Sequence, residues 1–131
     1  MPKQKLVAID FDGTLVVDAF PGIGEFMPGA REALEELSQN FKITIWTCRS
    51  GKYLTEMVEF LDQNKVPYEA VNEQIPGYND FTNSRKIFAH IYIDDRNFPG
   101  GFPGWDKVMK ELRRAHLGAK GTDKMAEFKG F

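Results

Sequence analysis

The chain alternates short apolar runs with segments whose apolar residues recur every three or four positions. Leu6, Val7, Ala8 and Ile9 form an unbroken apolar run within Lys5 to Phe11, and the run ends in acid. Continuous runs of this kind suit a central parallel strand covered on both faces. Ala30, Ala33, Leu34 and Leu37 follow the i, i+3, i+4, i+7 spacing of one helical face, which predicts a helix over Pro28 to Asn40 with proline in its first turn. Phe41 to Thr47 reads as a second strand, and Leu54, Met57, Val58 and Leu61 repeat the helical spacing toward Asn64. A third strand opens at Val66-Pro67-Tyr68 and runs to Val71, a fourth lies within Ile87 to Ile93, and Trp105, Val108, Met109 and Leu112 mark a closing helix.

Strands alternating with helices predict an α/β fold: a three-layer, Rossmann-like parallel sheet with helices on both faces. Ligands of such sheets bind beyond the carboxyl ends of the strands. The polar clusters fall there. Asp10 and Asp12 end the first strand, Thr47-Cys48-Arg49-Ser50 ends the second, and Asp94-Asp95-Arg96 ends the fourth. Two loops stand out: a flap-like segment from Asp12 to Met27 carrying Phe20, Pro21, Gly22, Gly24 and Phe26, and the Phe-Pro-Gly-Gly-Phe-Pro-Gly run from Phe98 to Gly104. No internal repeat is visible. Residues 1–117 are expected to form one domain, with 118–131 as a polar, mobile tail.

Composition excludes more than it assigns. The 131 residues suffice for one core without a disulfide or structural metal. Lys+Arg 17 against Asp+Glu 19, a net charge of −2, gives neither the basic surface of a nucleic-acid binder nor the acidic tract of a disordered tail. No apolar run approaches the roughly 20 residues of a membrane span. The Met-Pro-Lys-Gln-Lys start runs straight into a strand, so no cleavable signal is expected and the chain is read as cytoplasmic. The single cysteine, Cys48, excludes an intramolecular disulfide and a multi-cysteine zinc site.

The chemistry lies in the acids. In Asp10-Phe11-Asp12-Gly13-Thr14-Leu15, residues two apart in an extended segment point the same way, so both carboxyls can face the sheet edge while Phe11 packs inward. Gly13 permits a sharp turn out of the strand. Neighbouring carboxylates resist ionising together unless a cation sits between them. One can serve as nucleophile or metal ligand and the other as general acid and base. Asp94 and Asp95 bring two more acids to the same edge, and an all-oxygen donor set favours Mg²⁺ over zinc. Adding a phosphate to that crowd of charge favours Asp12 as a neutral acid when substrate arrives. Lys86 could place a point charge on phosphate, and Thr47 with the following amides lies where a helix start binds anions. Arg49 and Arg96 are candidates for orienting substrate, and Cys48 reads as a buried neighbour of that subsite. His90 and His116 read as structural. Phe20, Phe26, Phe98, Phe102 and Trp105 could line the mouth or pack its loops.

These motifs, in this order, resemble the haloacid dehalogenase-like superfamily of phosphotransferases: the Asp-Phe-Asp-Gly-Thr-Leu opening, Thr47, Lys86 and the Asp94-Asp95 pair. The resemblance implies a phosphoaspartyl mechanism. Asp10 would attack phosphorus, and Asp12 would protonate the leaving oxygen and then activate water. Thr47 and Lys86 would hold the phosphoryl oxygens, with Cys48 and Arg49 beside them. Asp10, Asp12 through its carbonyl, Asp94 and Asp95 would hold Mg²⁺. An aspartate at position 12 points to phosphatase or phosphomutase chemistry, and the short spans 14–27 and 72–85 leave no space for a cap domain. The Trp46-Thr47-Cys48-Arg49 and Ile93-Asp94-Asp95-Arg96 runs are similar to small phage and bacterial members of the superfamily.

The expected activity is therefore Mg²⁺-dependent hydrolysis of a phosphomonoester, on a small molecule or a macromolecular end. An open site would accept a large substrate, or a second copy of the chain could supply the missing wall. A polynucleotide end phosphatase is the alternative enzyme, disfavoured by the neutral surface. A receiver-like phospho-acceptor is the alternative of another class. It is disfavoured because the first-strand acids are spaced by one and the middle strand ends in Thr47. A degenerate binding protein is the last alternative, and it is disfavoured because every motif position is intact.

Overall fold

The computed structural model describes residues 4–78 and 84–116, so the tail expected at 118–131 lies outside the described residues. The elements run β1 (Lys5–Ile9), α1 (Ala30–Ser38), β2 (Phe41–Ile45), α2 (Gly51–Gln63), β3 (Ala70–Val71), β4 (Ile91–Ile93) and α3 (Trp105–Ala115). All four strands are parallel, in the order β3-β2-β1-β4. The apolar run that starts the chain thus takes a central place, pairing Val7 with Ile43 on one side and Ile91 on the other. Main-chain bonds continue just past the strand ends. Asp10 N–H donates to Ile93, Trp46 N–H to Ile9 and Asn72 N–H to Ile45, each at 2.9 Å. The carboxyl edge that bears the polar clusters is therefore stitched across its width.

Strand alternation sorts the side chains of β1 into two cores. Val7, Ile9 and the following Phe11 join Ile43, Ile45 and Ile93 against the buried faces of α1, α2 and α3. Leu6 and Ala8 face the other way, onto Ile75, Tyr78, Ile87 and Ala89. Helices are expected on both faces; among the described residues they lie on one. All three described helices contribute to one core, and the opposite face is covered by irregular chain from the span between β3 and β4. The apolar residues of 87–89 fill that second core instead of lengthening β4, which keeps only Ile91–Ile93.

The helix ends follow local chemistry. The first helix begins two residues later than its pattern suggests. Gly29 caps it at φ +78°, a conformation that side-chain-bearing residues avoid, and Pro28 stands outside. Its buried residues are the four of the predicted stripe, Ala30, Ala33, Leu34 and Leu37. At the other end of the chain, Trp105 is buried, and its indole N–H donates to the Thr14 carbonyl at 2.9 Å. That bond ties α3 to the turn following β1. Among the described residues no helix is long and apolar enough to cross a membrane.

Candidate active site

After Ile9 the chain leaves the sheet in a tight turn around one carbonyl. The N–H groups of Thr14, Leu15 and Val16 all point at the Phe11 carbonyl (3.3, 2.9 and 3.1 Å), and Gly13 N–H donates to Val16 at 2.8 Å. Gly13 sits at φ +85°, as the sharp exit requires, and Phe11 is fully buried. A short hairpin follows: Val17 N–H donates to Glu25 (2.8 Å) and Met27 N–H to Leu15 (2.9 Å). Residues 18–24 form its tip, a flap over the edge of the sheet.

Asp10, Asp94 and Asp95 converge. Each offers a carboxylate oxygen, and these oxygens lie within 4.8 Å of one another, all three residues half-buried. Partial desolvation, then the charge of Asp94 and a hydrogen bond with Asp95, push the Asp10 carboxyl up to about 7 from the usual 3.8. The Thr14 hydroxyl donates to Asp10 Oδ2 at 3.2 Å and opposes the rise. Asp94 also shapes its own loop: its Oδ1 accepts the Arg96 N–H at 3.0 Å and its carbonyl accepts from the Asn97 amide at 3.0 Å. Three acids this close, one of them held toward its protonated form, make a site that a hard cation would relax. The donors are all oxygen, which fits Mg²⁺.

Asp12 lies apart from that cluster. Both of its oxygens accept from Arg49, Nε to Oδ2 and Nη2 to Oδ1, each at 2.8 Å. Both Asp12 oxygens are engaged as acceptors, so one of them must leave Arg49 before Asp12 can pass a proton. Arg49 is 4% exposed and its pKa is held above the ordinary value, chiefly by the hydrogen bonds to Asp12.

The Thr47 loop is fixed from β3. Asn72 accepts the Thr47 N–H on its Oδ1 and donates its Nδ2 to the Thr47 carbonyl, both at 2.8 Å. The Thr47 hydroxyl accepts the Arg49 N–H at 3.1 Å. One of the amides expected to await an anion, that of Arg49, is therefore bonded within the protein, as is the Thr47 amide itself. Cys48 is exposed, not buried as its sequence neighbours suggested, and its thiol is free.

Asp10, Asp12, Thr47, Cys48, Arg49, Asp94, Asp95 and Arg96 line a single open cavity of about 430 Å³, together with Asp18 and Phe20. That volume is in the range of small-ligand pockets. Lys86 is the exception among the expected residues: it is exposed, and its ammonium lies 5.0 Å from the centre of the Tyr92 ring. His90 is structural, accepting the Leu6 N–H on Nδ1 at 3.0 Å. Phe102 packs edge-on against Trp105 (5.5 Å), Phe26 packs on Phe60 (5.1 Å), and Phe98 stands 86% exposed. Sequence reasoning missed Thr14 and Asn72. Each is a polar residue within five positions of a strand end on the functional edge, and that placement is the signal that could have found them.

A family model for NLI interacting factor-like phosphatases matches residues 5–97. The chain belongs to that family. This phosphatase family is a branch of the haloacid dehalogenase-like superfamily that the motifs resemble. Among solved structures, the chain is similar to a conserved protein from Bacteroides thetaiotaomicron, at 34% identity and a TM-score of 0.76, over 86% of this chain and 92% of that one. No curated protein matches it. Membership of this phosphatase family accounts for an acid cluster on the carboxyl edge of a parallel sheet.

Proposed function

We propose that the protein is a Mg²⁺-dependent phosphomonoester hydrolase that works through a phosphoaspartyl intermediate on Asp10. The observation that carries this reading is the convergence of Asp10, Asp94 and Asp95 in an open cavity that also holds Asp12 and Thr47. Asp10, Asp94 and Asp95 would hold the cation, with the Asp12 carbonyl as a further oxygen donor. The bound ion would supply positive charge against the phosphoryl oxygens and keep Asp10 ionised.

The chain's own groups do the rest. The Asp10 carboxylate attacks phosphorus as the ester P–O bond breaks, and the departing oxygen takes a proton from Asp12. Asp12 then removes a proton from water, whose oxygen attacks phosphorus. The P–O bond to Asp10 breaks, phosphate leaves, and both aspartates return to their starting states. Thr47, its backbone clamped by Asn72, presents its side chain beside the transferring group. Lys86 reaches a phosphoryl oxygen by leaving the Tyr92 ring, a contact worth only about 0.5–1 kcal/mol at an exposed site. The site is read as capless, its outer wall being the flap alone, and the open mouth admits a small phosphate ester or a phosphorylated macromolecular end.

The test is turnover of a panel of phosphomonoesters with Mg²⁺ and with EDTA, beside Asp10→Asn. Activity that requires the metal and vanishes in a folded Asp10→Asn variant supports the reading. Turnover that survives both EDTA and Asp10→Asn overturns it.

A further inference from the structure

Arg49 spends every donor it has inside the protein. Nε and one Nη2 hydrogen go to Asp12, the other Nη2 hydrogen goes to the Gly22 carbonyl (2.7 Å), and Nη1 serves the carbonyls of Pro21 (3.3 Å) and Tyr53 (3.4 Å). Its guanidinium carbon lies 5.3 Å from the Phe11 ring centre and 5.0 Å from that of Phe20. One side of this planar fork therefore grips the carboxyl beside the reacting centre, and the other grips the tip of the flap. The side chain is 1% exposed, so no solvent competes for these bonds. Asp12 itself has no hydrogen bond to residues 18–24 among the described contacts. The guanidinium is the bridge between them.

We propose that Arg49 is a positioning residue that couples the flap at residues 18–24 to the Asp12 carboxyl, so that loosening either one loosens the other. The proposal deepens the hydrolase reading above, and its kinetic arm rests on that reading. Rigid bidentate geometry is what makes the coupling work: a planar guanidinium holding two carboxylate oxygens and three carbonyls cannot turn toward one set without leaving the other. Substrate that lifts the flap pulls on Arg49 and frees an Asp12 oxygen for proton transfer. With the flap down, both oxygens stay engaged. Coupling of this kind is reciprocal, so a change at Asp12 must be felt in the flap although no described hydrogen bond joins the two directly.

The test is amide hydrogen exchange of the metal-free protein in wild type, Asp12→Asn and Arg49→Lys, read at Val17 and Met27, whose N–H groups close the flap hairpin. Asp12→Asn keeps the side-chain size but turns an amide donor against the guanidinium. Exchange at Val17 is expected to rise about tenfold in both variants, with β2 unchanged, as fits the loss of one charge-assisted hydrogen bond. Unchanged flap exchange in Asp12→Asn overturns the proposal. In turnover of a small phosphate ester, Arg49→Lys is expected to lower kcat about tenfold with KM within about twofold. A rise in KM with kcat retained would make Arg49 a substrate contact and overturn the proposal too. If Asp10→Asn stays active, the phosphoaspartyl reading fails, while the exchange measurement still decides the coupling.

Discussion

Replacing Gly13 by alanine puts a methyl group where Asp95 now sits. A Cβ built on Gly13 would lie 2.1 Å from Asp95 Oδ2 and 2.9 Å from its Cγ. Normal carbon–oxygen contact needs roughly 3.3 Å or more, so the carboxylate must retreat by about 1 Å. That exceeds the roughly 0.5 Å within which a metal or catalytic group must be held. The backbone adds its own cost, because φ is +85° and a left-handed alanine is destabilising by about 1–2 kcal/mol. Gly51 separates the two effects: its φ is +56°, and a Cβ there meets nothing within 4 Å. Both alanine variants should lose about 1–2 kcal/mol in metal-free urea unfolding. Only Gly13→Ala should also lose the Mg²⁺-induced rise in midpoint, which for an intact site grows by about 1.4 kcal/mol per decade of metal above its Kd. Equal stabilisation of the two variants by Mg²⁺ would refute the placement of Asp95 in the metal site.

Three further outcomes follow from the geometry. Asp10 holds its proton to about pH 7 in the folded chain but only to about 4 when unfolded, so raising pH between these values costs the metal-free protein stability. The full shift sets a ceiling near 4 kcal/mol, and partial solvation of the group reduces it to the order of 1–2. Urea midpoints without metal should therefore fall from about pH 5 to about pH 8 in wild type and fall less in Asp10→Asn; equal slopes would contradict this. Trp105→Phe leaves the buried Thr14 carbonyl without its donor and should cost about 1–3 kcal/mol in thermal unfolding, whereas no shift in midpoint would mean the bond is not maintained. Asn72→Ala removes both bonds to Thr47 and leaves alanine at φ +55°, a loss of about 2–4 kcal/mol with reduced turnover. Full activity in that variant would show that Thr47 does not depend on the clamp.

The parts of the molecule that could be read from the chain are those governed by local spacing. The Leu6–Ile9 run and the one-residue gap between Asp10 and Asp12 required only strand geometry to place them. The stripe in α1 came out residue for residue because an amphipathic helix repeats its pattern within one element. The misplacements arise where tertiary partners decide. The fourth strand does lie within Ile87 to Ile93, but its start at Ile91 is not legible, because Ile87 and Ala89 belong to the second core. Arg49 reads as a candidate for orienting substrate, and it does line the cavity, but the bonds that hold it there are not legible. Three of its partners, Asp12, Pro21 and Gly22, are 27 to 37 positions away and become neighbours only in the folded chain. Cys48 looks buried beside Trp46 and Thr47, yet it emerges at the mouth because the chain leaves the sheet after Ile45.

The position of β4 has a consequence for how the protein folds. Strands β1, β2 and β3 can pair with their sequence neighbours as the chain collapses, but β4 must close on β1 across a separation of 84 residues, from Val7 to Ile91. Contacts so distant along the chain form late, since closing the loop costs entropy before any pairing rewards it. Asp94 and Asp95 travel with that strand. The proposed metal site is thus expected to be among the last features assembled, so Mg²⁺, if it is the ion bound there, should slow unfolding while leaving the folding rate nearly unchanged. A nascent chain would carry its Asp10 long before the other two acids of the cluster could join it.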